Sequence, residues 1–563
     1  MVKKILSFVR GAGREITNLH EAAYLLALST GASLLFALIR DRLLAHTLGA
    51  GPDLDVYFAA FRIPDFIFIT VASLVSTSIL VPFLMESKAK SADELKSSIQ
   101  SLFSAFSFLI IIVCGIAYFL MPWLDRALFP NLFALGFGDT LVSASRILLL
   151  SPLLLGIASF FASITQIQNR FLVYALSYPL YNIGIIFGVV FFLPYWSVNG
   201  LAFGVVLGAL LLSLAQIPLV MRDGLFPRVS FRFDWHKIKR VVRLSLPRTI
   251  TLSSQQMTNL GLVSFASFLG AGSISIFNLA LNLQSVPLSI IGASYSSAAF
   301  PVLARLMAEH DREGFLSRMI AAVKHVIFWS VPVTVLFIVL RAQIVRVVLG
   351  SGQFSWSDTK LSAAALALFV LSSVAQSLML LFVRSFYAEG KTAKPLVMNI
   401  ISTVVTVILG FGLIKLYRFA PDFAYFIQSL LKTSGAYDSS VLMLPLAFTL
   451  GAFLNLYLHW RSFVREFPSF TAPIMRTVFH SSSASIIGGY ASYLSLHIFD
   501  GIFGLTTLYG VFMQGLCAGI VGIAVIIIVL RALKSPELRD IHEAFAQKVW
   551  GIDKASLDKL PLL

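Results

Sequence analysis

Charged side chains lie inside the first two long apolar runs of this 563-residue sequence. A charged group at the centre of a membrane helix costs roughly 2.5 to 3.5 kcal/mol on insertion scales, so it is expected to face protein or water. Arginines placed in this way either bind an anion in a water-filled cavity or form an ion-pair cluster at the outer ends of two helices, and both alternatives stay open. The charged residues are Arg40, Asp41, Arg42, Asp55, Arg62 and Asp65.

The spacing of these residues predicts their partners. Arg40 and Asp41 are adjacent and point roughly 100° apart on a helix, so we expect them not to neutralise each other along one stripe. Asp41 is instead expected to reach Arg62 or Arg42. Pro64 removes a backbone hydrogen bond and favours a kink next to Arg62.

Further polar candidates occur later in the chain. Arg146 and Arg248 lie in apolar runs, although each is equally compatible with snorkelling to the membrane interface. Amides such as Gln256 and Asn282 either join helices or line a hydrated cavity. The predicted substrate-binding residues are Arg40, Arg42, Arg62, Arg146, Arg248, Gln256 and Asn282, and the predicted ion-coupling or charge-network residues are Asp41 and Asp55.

Motifs for catalysis are missing from the sequence. It contains no G-x-x-x-x-G-K-[ST] loop for nucleotide phosphates, no H-E-x-x-H zinc motif and no G-x-S-x-G motif. Its two cysteines, Cys114 and Cys517, lie in apolar runs and imply neither a disulfide framework nor a metal cluster. We therefore predict no catalytic residues, no metal site and no cofactor.

The elements that position the charged residues are apolar runs of about 20 to 30 residues, each long enough to cross a bilayer core about 30 Å thick. They recur from Ala23 to Ala532. With 58% hydrophobic and 12% charged residues, the chain has too little polar surface for a soluble globule. Because strict alternation over ten-residue blocks is absent, a β-barrel is not expected. The sequence predicts an all-α polytopic membrane protein with about fourteen transmembrane helices.

The distribution of basic residues predicts the orientation. Lys and Arg concentrate in alternate loops and in both terminal segments, whereas the other loops are poor in them. This positive-inside pattern places both termini in the cytoplasm and accounts for the net charge of +16 without a nucleic-acid partner. Between Ser230 and Leu244, apolar residues alternate with basic ones, which predicts an amphipathic helix at the cytoplasmic membrane surface.

An internal repeat predicts two lobes. The segment that begins Leu48-Gly49-Ala50-Gly51 has an echo 221 residues later, from Leu269 to Gly272, and Pro179-Leu180-Tyr181-Asn182-Ile183 is echoed from Pro395 to Ile400. An even number of spans separates the copies, so the lobes are parallel repeats, an arrangement that places a substrate site between them. The predicted units are an N-terminal lobe (1–222), a basic linker (223–243), a C-terminal lobe (244–460), two further helices (461–533) and a cytoplasmic tail (534–563).

Glycines in the last two runs indicate close helix packing. Gly515 and Gly519 form a G-x-x-x-G motif, and Gly488 and Gly489 lie in the run before it.

The sequence resembles the MurJ/MviN lipid II flippases of the MOP exporter superfamily. The resemblance extends roughly from Ala23 to Tyr417. It rests on Arg40-Asp41, Leu48-Gly49-Ala50-Gly51, Asp55, Phe58, Ala60-Phe61-Arg62-Ile63-Pro64 and Val81-Pro82, and further along on Asn169-Arg170-Phe171, Asn182, Phe265 to Leu269, Gly272-Ser273, Gly352, Phe354 and Asp358.

The resemblance implies two six-helix lobes in a V around a central cavity, and two C-terminal helices that form a groove for a polyprenyl tail. It implies a transporter rather than an enzyme, which turns an undecaprenyl-diphosphate-linked peptidoglycan precursor from the inner to the outer leaflet of the bacterial cytoplasmic membrane by alternating access. It also places Arg40, Asp41, Asp55 and Arg62 among the family's functional charges. Other charged positions of the family fall on Leu34, Phe68, Ser73 and Asn282.

Several alternatives remain open at this point. The coupling ion would be H⁺ or Na⁺. The substrate could be another polyprenyl-linked glycan or a small amphiphile, and a scaffold that contacts cell-wall synthesis proteins without transport is a further possibility. A membrane glycosyltransferase would need a carboxylate-rich metal site, whereas the clearest acidic cluster, from Glu86 to Glu94, is sparse.

Overall fold

The chain is built almost wholly of helices. The computed structural model describes residues 19–75, 77–168, 170–231, 233–504, 507–540 and 543, and no strand occurs among them. The predicted all-α class is therefore confirmed. The predicted basic N-terminal arm and most of the predicted tail lie outside the described residues.

The first group of helices forms one bundle, the first lobe. In it α9 packs against α1 and α10, and α10 packs against α7 and α8. The helices are α1 (Leu19–Leu48), α2 (Pro52–Ala60), α3 (Arg62–Ala72), α4 (Thr77–Lys90), α5 (Ala92–Leu128), α6 (Pro130–Ala134), α7 (Gly138–Leu148), α8 (Leu150–Ile167), α9 (Phe171–Phe187) and α10 (Leu193–Arg222).

The second group forms a similar bundle, the second lobe. In it α16 and α17 both pack against α19, and α12 and α14 pack against α16. The last two helices pack against each other; α20 also contacts α14, and α21 also contacts α15. The helices are α11 (Trp235–Ser267), α12 (Ser273–Pro287), α13 (Ser294–Ala308), α14 (Arg312–Val339), α15 (Arg341–Val348), α16 (Trp356–Ala388), α17 (Ala393–Phe419), α18 (Pro421–Leu431), α19 (Met443–Glu466), α20 (Ala472–Phe503) and α21 (Leu508–Ala532).

Nine helical stretches within the described residues are long and apolar enough to cross a membrane. One of them, Pro179–Arg222, contains two predicted spans, because Ser197 has a left-handed φ of 47° and the chain reverses there. The helices α1, α11 and α20 and the stretch from α2 to α4 are not among these nine, although they lie in the predicted apolar runs. The total of about fourteen spans stays a prediction.

Proline explains the break between α2 and α3. Pro64 lies in the first turn of α3 and has no N–H to donate to the carbonyl of Ala60, and the helix is interrupted at Phe61. The predicted kink next to Arg62 is therefore present. In the second lobe, the corresponding helix contains Pro287 and loosens into a π-helical turn over Leu288–Ala293.

The segment predicted as an amphipathic helix, from Ser230 to Leu244, is helical only in its second part. Residues 225–231, 233 and 234 are non-helical, and Trp235 begins α11. The basic segment from Trp235 to Leu244 is the first part of this long helix, where the buried side chain of Val241 joins the apolar core of the first lobe.

Small residues allow the antiparallel helices α9 and α10 to approach closely. A Cβ on Gly184 would lie 2.2 Å from Cα of Gly208, and one on Gly188 would lie 2.5 Å from Cα of Gly204. These are backbone contacts, so no side-chain adjustment can relieve them. The sequence analysis did not single out this pair of helices.

Glycine also mediates the contact between α20 and α21. There Gly488 packs against Ile526 and the carbonyl of Gly522. The glycines of the G-x-x-x-G motif also make close contacts, but Gly515 and Gly519 contact Gln343 and Leu340 rather than α20.

Gly184→Ala is expected to destabilise the protein by about 1 to 3 kcal/mol, because its Cβ forces α9 and α10 apart. Gly412→Ala in α17 is the matched control, since nothing lies within 4 Å of a Cβ at that position. Thermal unfolding in detergent should show a lower midpoint for Gly184→Ala alone. Equal midpoints for the two variants would contradict the close packing.

Candidate functional site at the interface of the lobes

The carboxylate of Asp55, in the first lobe, caps the start of α12 in the second lobe. Its oxygens accept hydrogen bonds from the backbone nitrogens of Gly272 at 2.6 Å and Ser275 at 2.7 Å, and from the Ser275 hydroxyl at 2.6 Å. A helix N-terminus carries unpaired N–H groups and partial positive charge, and both stabilise a carboxylate. One lobe therefore supplies the cap of a helix in the other, and the side chain that does so is only 3% exposed.

The two repeated Leu-Gly-Ala-Gly turns touch at this point. Gly272 has a φ of 86°, and a Cβ there would lie 2.1 Å from the carbonyl oxygen of Ala50. Both the backbone conformation and the close approach require glycine. The internal repeat thus brings its own two copies together at one end of the interface.

Two asparagines one turn apart on α12 form hydrogen bonds with charged side chains of the first lobe. The amide nitrogen of Asn282 donates to Asp41 at 3.1 Å, and Arg62 donates to the amide oxygen of Asn278. Arg62 also donates to the carbonyl of Phe58 at 3.2 Å. The arginine at the kink is therefore held across the interface by a neutral amide.

The expectation that Arg40 and Asp41 would not pair is wrong. The Arg40 guanidinium donates through Nε at 2.9 Å and Nη2 at 2.7 Å to one carboxylate oxygen of Asp41. It also donates to the Asn182 side chain at 3.0 Å, and Asn182 in turn donates to Ser33 at 3.3 Å. The long arginine side chain folds back onto its neighbour, and Asp41 reaches neither Arg62 nor Arg42 by an ion pair within the described residues.

Arg42 contacts the second lobe at a different place. It donates to the carbonyl of Val347, near the C-terminus of α15, where the helix dipole favours a cation. Close by, the backbone nitrogen of Gln353 donates to the carbonyl of His46 at 2.9 Å. A Cβ on Gly352, whose φ is 61°, would lie 2.2 Å from that same carbonyl oxygen. Arg42 thus contributes to the contact between the two lobes.

The other half of the interface is closed by hydroxyl groups of α11, of α3 and of the turn that follows α3. Ser73 donates to Thr249 at 2.8 Å, Thr70 lies 3.1 Å from Ser253, and Ser245 donates to the carbonyl of Leu74 at 2.8 Å. The lobes are therefore in contact at both ends of the interface, so the structure is a closed state.

Ion pairs extend this closure at the start of α11. Arg240 forms a bidentate pair with Glu86 at 2.9 and 3.1 Å, and Lys237 lies 2.9 Å from Glu94. Hydrogen bonds from Arg240 hold the pKa of the Glu86 carboxyl below its usual value. Because this pair is exposed, salt weakens it.

The remaining predicted residues are distributed differently. Arg146 lies in a crevice of the first lobe, away from the contacts between lobes. The side chain of Arg248 lies outside the described residues. Gln256 is half-buried on the face of α11 that also carries Thr249 and Ser253, which contact the first lobe.

The structure adds residues that the sequence analysis did not choose. Asn278 binds Arg62, and Asn182 binds Arg40. The sequence signal for Asn278 was its position one turn from Asn282, and the signal for Asn182 was its position in the second repeated segment. Asp65 is half-buried one turn after Arg62 and accepts no hydrogen bond within the part of the chain that the structure describes. No cluster of three or more metal-ligating side chains was found among the described residues.

Comparison with known proteins identifies the family. A family model described as "Lipid II flippase MurJ" matches residues 44–513. A protein of Thermotoga maritima named "Probable lipid II flippase MurJ" is 25% identical over 436 residues, which cover 75% of this chain and 87% of that protein. A protein of the same name from Vibrio cholerae is 27% identical over 401 residues, covering 67% and 74%.

Solved structures share the fold. One titled "Lipid II flippase MurJ, inward closed conformation" superposes with a TM-score of 0.70 at 21% identity, covering 92% of this chain and 99% of that one. An inward-facing multidrug resistance MATE family transporter of the MOP superfamily gives 0.63 at 15% identity, covering 78% and 96%.

The fold and the polar interface between two repeated lobes define a multi-pass helical membrane protein, and solved MOP superfamily transporters share this fold. Within that class, the chain belongs to the MurJ lipid II flippase family, since the family model covers most of its length. The resemblance found in the sequence is confirmed.

Asp55→Ala is expected to loosen the start of α12, because the N–H groups of Gly272 and Ser275 lose their acceptor. Hydrogen bonds to charged groups contribute about 1.5 to 3 kcal/mol, so exchange of these amides should accelerate about tenfold or more. Hydrogen–deuterium exchange of the segment from Leu269 to Ser275 measures this directly.

Asp53→Ala is the matched control, since Asp53 lies on the same helix and forms no hydrogen bond through its side chain within the described residues. Unchanged exchange in Asp55→Ala, or equal acceleration in both variants, would show that Asp55 does not cap α12.

Proposed function

We propose that this chain translocates lipid II, a peptidoglycan precursor linked to a polyprenyl diphosphate, from the inner to the outer leaflet of the bacterial cytoplasmic membrane. The observation that carries the proposal is the contact of Arg62 with the second lobe, with Arg40 close by through its partner Asp41, in a member of the MurJ family. Alternating access between the lobes would present these cations first to one side of the membrane and then to the other.

The physical need for such a site is clear. A diphosphate and its sugars cannot cross hydrocarbon unaided, because burial of unpaired polar and charged groups costs several kcal/mol for each group. Arginine binds phosphate oxygens through two parallel hydrogen bonds, and in a dry site such bonds are strong. In the closed state Arg62 is bound to neutral acceptors, so a diphosphate would replace weaker partners with a stronger one.

Transport requires the contacts between the lobes to break in turn. Opening to the outside separates Asp55 from α12, Asp41 from Asn282 and Arg42 from Val347. Opening to the inside separates the hydroxyl contacts of Ser73 and Thr70 and the ion pair of Arg240. Each side is held by a few hydrogen bonds, so a substrate that binds one opened state more tightly would shift the balance.

Asp41 and Asp55 remain the proposed ion-coupling residues. Both carboxylates accept hydrogen bonds from the second lobe, so neutralisation by H⁺ or competition by Na⁺ would weaken the outer closure. An ion that enters from outside would thereby favour the outward-open state. The membrane potential can add about 2.3 kcal/mol for each charge moved through 100 mV.

The units predicted from the sequence fit this cycle. We propose that residues 1–222 and 244–460 move as lobes about the linker 223–243, and that α20 and α21, within 461–533, receive the polyprenyl tail. Cytoplasmic termini agree with the basic residues at the inner closure, Lys237 and Arg240. Contacts with cell-wall synthesis proteins belong to the same proposal.

A second candidate substrate is another polyprenyl-linked glycan. The observation that favours it is Asn282, which stands where the family resemblance implies an arginine and which binds Asp41 instead of a substrate anion. With fewer cations, the site would hold a diphosphate less strongly. Parallel translocation assays with lipid II and with a lipid-linked oligosaccharide distinguish the two.

Arg62→Ala is expected to abolish complementation of a flippase-deficient strain, because it removes a cation from the interface. Purified protein in vesicles should show a matching loss of lipid II movement between leaflets. Arg126→Ala, at an exposed position on α5, is the control and should keep full activity.

Normal growth with correctly inserted Arg62→Ala protein would rule out the proposed role of this arginine. A wild-type protein that moves no lipid in vesicles would instead favour the scaffold alternative.

A further inference from the structure

A crevice of about 800 Å³ lies between α5 and the helices α7 and α8 of the first lobe. It is separate from the contacts that join the two lobes. Its walls are mostly apolar, and it is open on one side, since Tyr118 is 45% exposed and Leu150 is 52% exposed. The polar groups that line it include Asp139 and Arg146.

The guanidinium of Arg146 is only partly satisfied by protein. Its Nε donates to the carbonyl of Tyr118 at 3.2 Å, and its central carbon lies 4.6 Å from the centre of the Tyr118 ring. No hydrogen-bond acceptor for its two terminal nitrogens lies among the described residues; the buried carboxyl of Asp125 attracts it electrostatically but forms no ion pair with it there. Four N–H groups therefore remain for a ligand.

The surroundings of the crevice indicate a lipid. On α5, the side chains next to the crevice are large, apolar and more than half exposed, as expected for a helix that faces acyl chains. These are Ile112, Ile116, Phe119 and Trp123. An arginine in such a setting needs an anionic partner, and a phosphate matches its planar set of donors.

The order of the two charges along the crevice indicates which class of lipid fits it. Asp139 is exposed and lies seven residues before Arg146 on α7, about 10 Å nearer the end of the helix. Side chains on a helix lean towards its N-terminus, so Arg146 leans towards Asp139. The cation of Arg146 thus lies deeper than the carboxylate of Asp139. In a phospholipid headgroup that carries an amine, the anionic phosphate lies deeper than the ammonium. Each charge of the crevice therefore lies at the depth of the opposite charge in the headgroup.

We propose that this crevice binds an aminophospholipid of the surrounding bilayer, with its phosphate on Arg146, its primary ammonium on Asp139 and an acyl chain along the apolar wall. The carboxylate at the mouth disfavours a lipid with two or more negative charges. This argues against a polyprenyl diphosphate as the occupant, so the crevice is distinct from the proposed substrate site.

Native mass spectrometry of the full chain from mixed vesicles tests the proposal. The vesicles contain equal amounts of phosphatidylethanolamine, phosphatidylcholine and phosphatidylglycerol. Wild type is expected to retain phosphatidylethanolamine preferentially. Arg146→Gln should lower phospholipid retention about tenfold, as expected for loss of a charge-assisted pair. Asp139→Asn should keep retention but shift the preference towards phosphatidylglycerol.

Two further variants sharpen the test. Arg126→Gln, an exposed arginine on the same lobe, should retain lipid like wild type. Leu150→Trp fills the open crevice without changing its charge and should lower retention even if Arg146→Gln does not fold. Equal retention by wild type, Arg146→Gln and Leu150→Trp would overturn the proposal. So would displacement of the bound phospholipid by undecaprenyl diphosphate.

Discussion

The structure depends on one hydrogen-bonded contact, in which a carboxylate of the first lobe supplies the cap that a helix of the second lobe lacks. The exposed N–H groups at the start of α12 need acceptors, and Asp55 provides them from the other lobe. Because neither lobe satisfies these groups alone, the contact between the lobes has a definite geometry at this end.

The internal repeat explains why this contact can form. Two copies of one turn meet at one end of the interface, and glycine at position 272 lets their backbones touch. Below them, Asn278 and Asn282 face Arg62 and Asp41. Arg62 is thus held by a contact between the lobes, and separation of the lobes would release it, as the proposed function requires.

Much of this arrangement could be predicted from the sequence. Charges inside apolar runs mark Arg40, Asp55 and Arg62, because such groups are too costly to face lipid. Proline locates the kink. The partners could not be predicted, since Asp55 binds backbone N–H groups, which have no sequence signature. Helix spacing did not predict the pairing of Arg40 with Asp41, because the arginine side chain is long enough to fold back onto its neighbour.

The positions of Arg146 and of the close glycine contacts depended on knowing which helices are neighbours. Arginine in an apolar run is expected to avoid lipid, but only the packing of α5 against α7 shows that Arg146 lines a separate crevice. Glycine is frequent in membrane helices, so Gly184 and Gly208 became significant only when α9 and α10 were seen to pack antiparallel.

The central claim is that the lobes separate at the end of the interface that contains Asp55 when the bonds to this residue break. Spin labels at Ala134 of the first lobe and Asp422 of the second, on a background with both native cysteines replaced, report this separation by pulsed electron resonance. The account predicts one short distance for the otherwise native protein and a second, longer distance when Asp55 is replaced by alanine or lipid II is added. A single unchanged distance under all three conditions would contradict it.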